Sequence, residues 1–174
     1  VKASLAYFTE SYAPYQFKVV RIVEFPRYFD FAQSFPTTVP YSEGIGFIMR
    51  VRDRDDDLDM PYFVTAHEIA HQWWGHQVVG ANAQGSAMMV ESMAEYAALV
   101  VMERKYGQSH VNKFLRYELD RYLRGRGGET KKEQPLIRTE NQAYIHYQKG
   151  SLALYALRDY IGEDAMNRAL RGYI

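Results

Sequence analysis

The chain has 174 residues, of which 47% are hydrophobic, so it can bury a sizeable core as one domain. Its basic and acidic residues both number 21, and this balance favours neither nucleic acid nor an anionic membrane surface as a partner. Because cysteine is absent, disulfides and thiolate metal sites are excluded, and any bound metal must take His, Asp or Glu ligands.

The N-terminal third of the chain carries the strand patterns. The spacing of apolar residues over Ala3–Tyr12 predicts a helix, and the β-branched and aromatic residues of Phe17–Phe25 predict a strand closed by Pro26. A second strand is predicted over Gly46–Val51. The polar run Arg52–Asp59 predicts a turn that leads into the helical part of the chain.

Helical patterns fill the remainder of the chain. We predict five helices, with exposed loops over Gly80–Gly85 and Arg124–Gln134 between them: Pro61–Gln77, Ala87–Tyr106, Ser109–Leu123, His146–Ile161 and Glu163–Tyr173. The third helix has one apolar stripe, formed by Val111, Phe114, Leu115, Leu119 and Leu123. Strands followed by helices indicate the α+β fold class.

The apolar runs are too short to cross a bilayer. The run 97–102 falls far short of the roughly 20 residues that a membrane span requires, so we predict a soluble chain with no membrane segment. The chain opens at Val1, and Ile174 lies inside a helical pattern with no stop signal. We therefore expect residues 1–174 to be a single domain excised from a longer protein.

The main chemical pattern is HEIAH at 67–71, inside the first predicted helix of the helical part. His67 and His71 are one helical turn apart, about 40° in azimuth and roughly 6 Å along the axis, so both can reach one ion. Glu68 follows the first ligand and can serve as general base toward a water at the ion. The pentapeptide alone also fits an exposed helix face with an incidental pair of histidines.

A third protein ligand is available on the next long helix. Glu91 is a charged residue within an apolar stretch, where burying an unpaired carboxylate would be costly. Coordination of a cation removes that cost, and a catalytic zinc site needs three protein ligands with one open position. The alternative is that Glu91 points to solvent from an amphipathic helix.

These residues together resemble a known family. The stretch HEIAHQWWG at 67–75, with Glu91 in the later VESMAEY, is similar to the gluzincin metallopeptidases related to aminopeptidase N and leukotriene hydrolase. In that family eighteen residues normally separate the second His from the Glu ligand. Here nineteen separate His71 from Glu91, and we expect the loop Gly80–Gly85 to absorb the extra one. The competing metzincin pattern requires Gly and His where this chain has Trp74 and Gln77, so it fails.

The resemblance implies an α+β fold of the thermolysin-like zinc metallopeptidase catalytic domain, with a small N-terminal mixed sheet followed by a helical half. It implies one zinc ion held by His67, His71 and Glu91, with Glu68 as general base. The segment YQKG at 147–150 is similar to the Tyr-Glu-Lys-Gly segment of the family. Tyr147 inherits from it the role of stabilising the tetrahedral oxyanion, although any one of the 15 tyrosines could instead be a packing residue.

A substrate-binding acid is implied upstream. PYSEG at 40–44 lies where the family carries Gly-x-Met-Glu-Asn, whose Glu binds the free α-amine of the substrate. Glu43 is the matching acid, but its neighbours depart from the pattern, and an exposed Glu at a strand end is the alternative. Glu95, one turn after Glu91, stands where a thermolysin-like site holds a zinc-bound imidazole, with a surface helix charge as the alternative. We expect His76 to be a hydrogen-bonded structural residue rather than a ligand.

Three functions are compatible with these residues. The first is an aminopeptidase that hydrolyses N-terminal peptide bonds through a zinc-activated water, and the second is an endopeptidase or other hydrolase of the same chemistry. The third is a zinc-binding module that is inactive as an isolated fragment. The intact pair of Glu68 and Tyr147 argues against a degenerate site. The resemblance also implies a peptide substrate.

The resemblance implies partners within a longer parent chain. Full enzymes of the family have an N-terminal β-domain and a C-terminal helical domain, and neither is present in these 174 residues. Some similar bacterial proteins attach such a domain to membrane-spanning segments, which would suit a soluble domain of a membrane-attached parent. The sequence leaves the cellular compartment open.

Overall fold

The structure, a computed structural model, describes residues 1–52 and 57–174. Residues 53–56 of the predicted turn lie outside the described residues. The secondary-structure elements in chain order are α1 Lys2–Ser11, β1 Arg21–Phe25, β2 Thr38–Ser42, α2 Glu43–Gly46, α3 Met60–Ala70, a first π turn Met88–Ser92, α4 Met93–Tyr106, α5 Gln108–Gly128, a 3-10 turn Leu136–Arg138, a second π turn Ile145–Lys149, α6 Gly150–Ile161 and α7 Glu163–Tyr173. The predicted α+β class is confirmed.

The small sheet lies in the N-terminal third. Strands β1 and β2 pair in parallel, with Arg21 opposite Thr38 and Phe25 opposite Ser42. Isolated antiparallel bridges join the segment before β2 to that strand, between Ala32 and Tyr41 and between Phe35 and Thr38. In the described residues the sheet itself is two-stranded and parallel, so the implied mixed sheet is represented only by these isolated antiparallel bridges. The first predicted strand is shorter than its pattern, because its first half does not pair.

The strand predicted over Gly46–Val51 is wrong. The chain turns into α2 directly after β2, because the Ser42 hydroxyl accepts a hydrogen bond from the backbone N–H of Gly44 and caps the helix. The N–H of Ile48 then bonds back to the carbonyl of Glu43. A polar cap thus overrides the local preference of the apolar residues that follow, and Ile48 remains exposed.

Helix α3 begins with a defined cap and ends sooner than predicted. The Asp59 carboxylate accepts a hydrogen bond from the N–H of Tyr62. Pro61 occupies the first turn, where a backbone N–H has no partner within the helix, so the missing N–H of proline costs no hydrogen bond. The helix ends at Ala70 rather than at Gln77. Gly75 has a φ of +129°, and its N–H bonds to the carbonyl of Val78, so the chain reverses there.

Helix α4 is the centre of the core. All ten residues from Met93 to Met102 are buried, and the helix packs against α3, α5 and α6. The aromatic side chains of Trp73 and Trp74, which follow α3, are completely buried against α1. Trp73 also donates its indole N–H to the carbonyl of Ala13 at 2.8 Å.

Helix α5 is longer than predicted, because residues 124–128 continue the helix where a loop was expected. Its apolar stripe is only half buried. Val111 and Phe114 have no exposed surface, whereas Leu119 and Leu123 are 46% and 56% exposed. Within the described residues, no helix combines the length and apolarity that crossing a membrane requires.

Candidate metal centre

Three side chains converge between α3 and the first π turn. His67 Nε2 and His71 Nε2 lie 3.0 Å apart, and Glu91 Oε2 lies 3.4 Å from each of them. In the described part of the chain, these three residues are the group whose ligand atoms are close enough to hold one metal ion. The predicted ligand set is therefore brought together in space.

The triangle of donor atoms fits a tetrahedral ion. Zinc binds imidazole nitrogen and carboxylate oxygen at about 2.0–2.1 Å, which makes neighbouring tetrahedral ligands about 3.3 Å apart. The measured sides of 3.0, 3.4 and 3.4 Å agree with this edge. Glu91 Oε2 is buried and makes no hydrogen bond to the described protein, so a cation between the three atoms would supply its missing partner.

The second nitrogen of each imidazole has a neighbour that orients the ring. His67 Nδ1 lies 2.6 Å from a carboxylate oxygen of Glu95, which is buried. His71 Nδ1 lies 2.9 Å from the backbone carbonyl of Trp74. Both contacts favour a proton on Nδ1 and leave the Nε2 lone pair directed at the metal position. Glu95 is thus an internal partner of His67, and the surface alternative for Glu95 is wrong.

The charges of the site depend on one another. Although burial opposes its charge, the neighbouring imidazoles of His67 and His71 lower the pKa of Glu91 well below its usual range. Burial likewise opposes a charged imidazole at His67, but the carboxylates of Glu95 and Glu91 raise its pKa. Burial raises the pKa of Glu68, which moves it toward the working range of a general base. Positive charge is therefore favoured at the centre of the triangle.

Glu91 lies within a π-helical turn rather than an α-helical one. A π turn closes its hydrogen bond over one more residue than an α turn, and such turns occur often at functional sites. The segment between His71 and Glu91 therefore runs through the loop Gly80–Gly85 and into a π turn, and the expectation that the loop absorbs the extra residue stays a prediction.

Tyr147 lies in the second π turn, which packs against the first. The Ser92 hydroxyl donates a 2.5 Å hydrogen bond to the carbonyl of His146, and this bond joins the two turns. Gly150 permits their close approach, since a Cβ there would lie 2.1 Å from Ser92 Oγ. The Tyr147 ring lies 6.0 Å from the ring of His67, and burial and the charge of Glu91 raise the pKa of its hydroxyl. Tyr147 therefore presents a protonated hydroxyl beside the candidate metal ligands.

Two cavities flank the triangle formed by the donor atoms of the three candidate ligands. The Glu91 cavity, of about 430 Å³, is lined by Gln33, Ser34, His71, Gly75, His76, Val79, Gly80, Ser86, Ala87, Val90, Glu91, His146 and Tyr147. The Glu68 cavity, of about 310 Å³, is lined by Phe31, Ala32, Ile45, Met60, Phe63, Val64, His67, Glu68, Glu95, Arg121, Tyr147 and Gln148. Tyr147 borders both, so a ligand that crosses the metal triangle would pass its side chain.

Glu43 is separate from this arrangement. Its carboxylate accepts a 3.0 Å hydrogen bond from the backbone N–H of Arg27, and it lines neither cavity. Ile45, two residues later, does line the Glu68 cavity. The structure thus brings Glu68, Tyr147 and the three candidate ligands together and leaves Glu43 outside the group.

Gln72 connects the end of α3 to the N-terminal third. Its side-chain oxygen accepts hydrogen bonds from the Tyr15 hydroxyl at 3.1 Å and from the N–H of Thr37 at 3.0 Å. Its amide nitrogen donates to Ser34 Oγ at 2.8 Å and to the carbonyl of Phe35 at 2.9 Å. Thr37 has a φ of +67°, which is uncommon for a residue with a side chain, and Gln72 helps to hold it there.

Sequence reasoning missed two residues near the site. Glu118 is completely buried in α5, on the same face as Val111 and Phe114, and the carboxylate within that apolar stripe was the available indication. Burial, and then the charge of Glu95, raise its pKa to about 8. His146 lines the Glu91 cavity, but nothing in the sequence separates it from an ordinary core histidine.

Comparison with known proteins identifies one family model and several solved structures that this chain resembles. The family model described as the peptidase family M1 domain matches residues 1–174. An M1 zinc metallopeptidase from Deinococcus radiodurans superposes with a TM-score of 0.70 at 24% identity, over 98% of this chain and 35% of that one. Yeast LTA4 hydrolase superposes with a TM-score of 0.73 at 15% identity, over 99% of this chain and 28% of that one.

A sequence relative adds to the structural likeness. A candidate aminopeptidase of Caenorhabditis elegans is 28% identical over 114 residues, which are 64% of this chain and 6% of that protein. The chain thus spans about a third or less of the length of each of these proteins. At these sequence identities the superposed structures show a shared fold. The activities that the names of these proteins describe belong to those proteins.

Proposed function

The chain belongs to peptidase family M1, whose model spans all of it, and from this premise we propose that it is the catalytic unit of a zinc-dependent aminopeptidase. The observation that carries the proposal is the convergence of His67, His71 and Glu91 on one position, with Glu68 and Tyr147 beside it. The proposed ligand set holds one zinc ion. The candidate aminopeptidase among the relatives supports cleavage at the N-terminus.

Zinc, when bound there, supplies a Lewis acid that lowers the pKa of water to about 7. Glu68 accepts the proton of the attacking water and delivers it to the leaving amine, which its raised pKa favours. Tyr147 donates its hydroxyl proton in a hydrogen bond to the oxygen of the reacting carbonyl as negative charge develops there. Glu95 keeps the His67 ring in the orientation that presents Nε2.

Internal cleavage is the second candidate function. The position of Glu43 favours it, because the carboxylate that would hold the substrate amine bonds to a backbone N–H and lines neither cavity. In this alternative the chemistry at zinc is unchanged and the peptide extends past the site at both ends. A module that binds zinc without turnover is the third possibility, and the presence of Glu68 and Tyr147 beside the ligands weighs against it.

We also propose that further domains of the parent protein complete the substrate site. The matched solved structures are about three times as long as this chain, which supports the idea that neighbouring domains act with it. The proposed substrate is a peptide. No nucleic-acid partner is proposed, because the charges balance.

The decisive experiment uses the full-length parent protein, purified without chelator. We would measure its zinc content and its hydrolysis of one peptide in free and N-acetylated forms. The Glu68→Gln variant should keep the zinc and lose turnover by roughly 10²–10⁴-fold, because only the general base is removed. Glu24→Gln, at an exposed carboxylate of β1, is the matched control and should behave like wild type. Zinc-loaded protein that cleaves neither peptide would refute peptidase function, and equal cleavage of both would favour the endopeptidase alternative.

A further inference from the structure

The ring nitrogens of the buried His146 have no hydrogen-bond partner in the part of the chain that the structure describes. His146 is 9% exposed and lines the Glu91 cavity. Among the described residues, neither ring nitrogen makes a hydrogen bond, and Nδ1 is completely inaccessible. Nε2 is therefore the nitrogen that a molecule in the cavity can reach. Because no described protein group pairs with Nε2 and this nitrogen faces the cavity, it is free to hydrogen-bond a molecule that enters there.

The position of the ring is fixed by the two π turns. Its backbone carbonyl accepts the hydrogen bond from Ser92 Oγ, and its ring lies 4.9 Å from that of Tyr147. Burial lowers the pKa of His146, so its imidazole is neutral at neutral pH. A neutral imidazole offers one donor and one acceptor. The side chain is thus held beside the proposed oxyanion residue with its hydrogen-bonding capacity unused.

The chemistry of the cavity selects the kind of group that His146 would bind. Apart from Glu91, the lining of the Glu91 cavity has no Asp, Glu, Lys or Arg side chain, and the half-buried His76 adds a second unpaired imidazole nitrogen. The Glu68 cavity, in contrast, has two carboxylates and the guanidinium of Arg121 in its lining. Neutral donors and acceptors complement a peptide unit, which has one N–H and one C=O, better than they complement a charged terminus.

We propose that His146 Nε2 hydrogen-bonds the second peptide unit of the substrate, the one that follows the scissile bond. This assignment rests on the proposed aminopeptidase function, in which a single residue precedes the scissile bond and the rest of the chain must extend to the other side. His146 is a substrate-binding residue in this proposal, and its hydrogen bond forms in the ground state and the transition state alike. The preferred substrates are therefore peptides with at least two peptide bonds.

The test compares a tripeptide with an anilide of the same N-terminal residue, which lacks the second peptide unit, on the full-length zinc-loaded protein. In His146→Phe the KM for the tripeptide should rise roughly tenfold with kcat nearly unchanged, since uniform binding is lost, while the KM for the anilide stays constant. His146→Gln should restore most of the tripeptide affinity, because its amide places a polar atom near the position of Nε2. His110→Phe is the matched control, at an imidazole outside both cavities.

Two further measurements keep the proposal testable if His146→Phe does not fold. Wild-type protein should bind a tripeptide whose second peptide bond is a trans-alkene roughly tenfold more weakly than the parent tripeptide. Calorimetry on the Glu68→Gln variant should show the same loss of affinity without turnover. Equal losses on both substrates, an unrescued Gln variant or full affinity for the alkene would overturn the role of His146. Absence of any hydrolysis by zinc-loaded wild type would instead refute the proposed function.

Discussion

The helical region, residues 60–174, and the sheet region, residues 17–52, differ in how far their large apolar side chains are buried. In the helical region ten successive residues of α4 are buried, and the candidate metal ligands lie on elements that pack directly against it. In the sheet region many large apolar side chains are exposed: Val19, Val23, Tyr28, Phe29, Phe31, Phe35, Phe47, Ile48, Met49 and Val51. All the proposed catalytic groups belong to the first region, whereas Glu43 and part of both cavity walls belong to the second.

This difference in burial leads to different expectations for metal binding and for substrate selection. The candidate metal ligands lie on elements that pack against α4, so we expect any metal binding to be insensitive to changes in the sheet region. Selection of the substrate depends on a wall formed partly by residues 31–34 and 45, which adjoin exposed apolar surface. Substitutions in each region should therefore affect different measurements.

The largest expected effect is on metal content. His71→Ala removes one of three ligands from the triangle, and we expect the bound zinc to fall from about one ion per chain to none. Elemental analysis after purification without chelator measures this. His76→Ala, close by and outside the triangle, should retain the metal. Equal loss in both variants would show that the ligand set is wrong.

A large kinetic effect is expected at Tyr147. Tyr147→Phe removes the hydrogen-bond donor that we propose acts on the developing oxyanion, and kcat should fall by roughly 10²–10³-fold with little change in KM. Steady-state kinetics on the full-length parent would measure both constants. Tyr160→Phe is the control, because that side chain is 91% exposed on α6. A change confined to KM would identify Tyr147 as a packing residue.

A smaller effect, on stability, is expected where the two π turns meet. The new Cβ of Gly150→Ala would clash with Ser92, and the free energy of unfolding should fall by about 1–3 kcal/mol. Adding Ser92→Gly should recover part of the loss by removing the opposing atoms. Gly172→Ala, a helical glycine of α7 with open space around it, should be neutral or stabilising by up to about 1 kcal/mol. Denaturant unfolding that ranked the two Ala variants equally would contradict the close contact.

The buried carboxyl of Glu118 predicts a pH dependence of stability. Its pKa is raised from 4.5 to about 8, so the folded state holds a proton that the unfolded state releases between these values. Its contribution to stability is therefore present at low pH and is lost as pH rises from about 5 to about 8. Melting temperatures across this range should fall less steeply in Glu118→Gln than in wild type. The exposed Glu10→Gln should leave the slope unchanged, and identical slopes in all three proteins would refute the assignment.

The smallest effect is expected in the sheet region, at Glu43. If this carboxylate leaves its bond to Arg27 to hold a substrate α-ammonium, wild type should prefer a free peptide over its acetylated form, and Glu43→Ala should lose most of that preference. The ratio of kcat/KM for the two peptides measures this. Zinc content should not change in the variant. An unchanged ratio would remove Glu43 from the amine site and favour internal cleavage.

Short-range patterns predicted the helical region well. The ligand spacing of one helical turn and the partly buried carboxylate of Glu91 follow from local periodicity and the cost of burying charge, and α7 has the bounds that its sequence predicts. The π turns were not predictable, because their extra residue is stabilised by contacts between the turns, such as the bond from Ser92 to the His146 carbonyl. Packing between segments that are distant in the sequence stabilises the π turns, and no local sequence preference indicates this packing.

The sheet region shows where local patterns failed. Gly46–Val51 has the residues of a strand, but the Ser42 cap directs the chain into α2 instead. In the part of the chain that the structure describes, β1 and β2 are the strands that pair in a sheet. Glu43 matched a family position, yet its contact with Arg27 depends on the fold of the preceding loop. In α5 the stripe from Val111 to Leu123 predicted a buried face, but neighbouring elements cover only its first half.

The hydrogen bonds of Gln72 have a consequence for how the sequence can change over time. Its side chain uses two acceptor positions and two donors at once, on Tyr15, Thr37, Ser34 and Phe35. Among the genetically encoded side chains only the amides combine two N–H donors with an oxygen that accepts two hydrogen bonds, and Asn is one methylene too short to keep all four contacts. A glutamate would lose the two donors, and a methionine would lose every bond. Substitutions at position 72 are therefore expected to be selected against, and the residue after the second candidate metal ligand should stay glutamine for as long as the loop it holds keeps its shape.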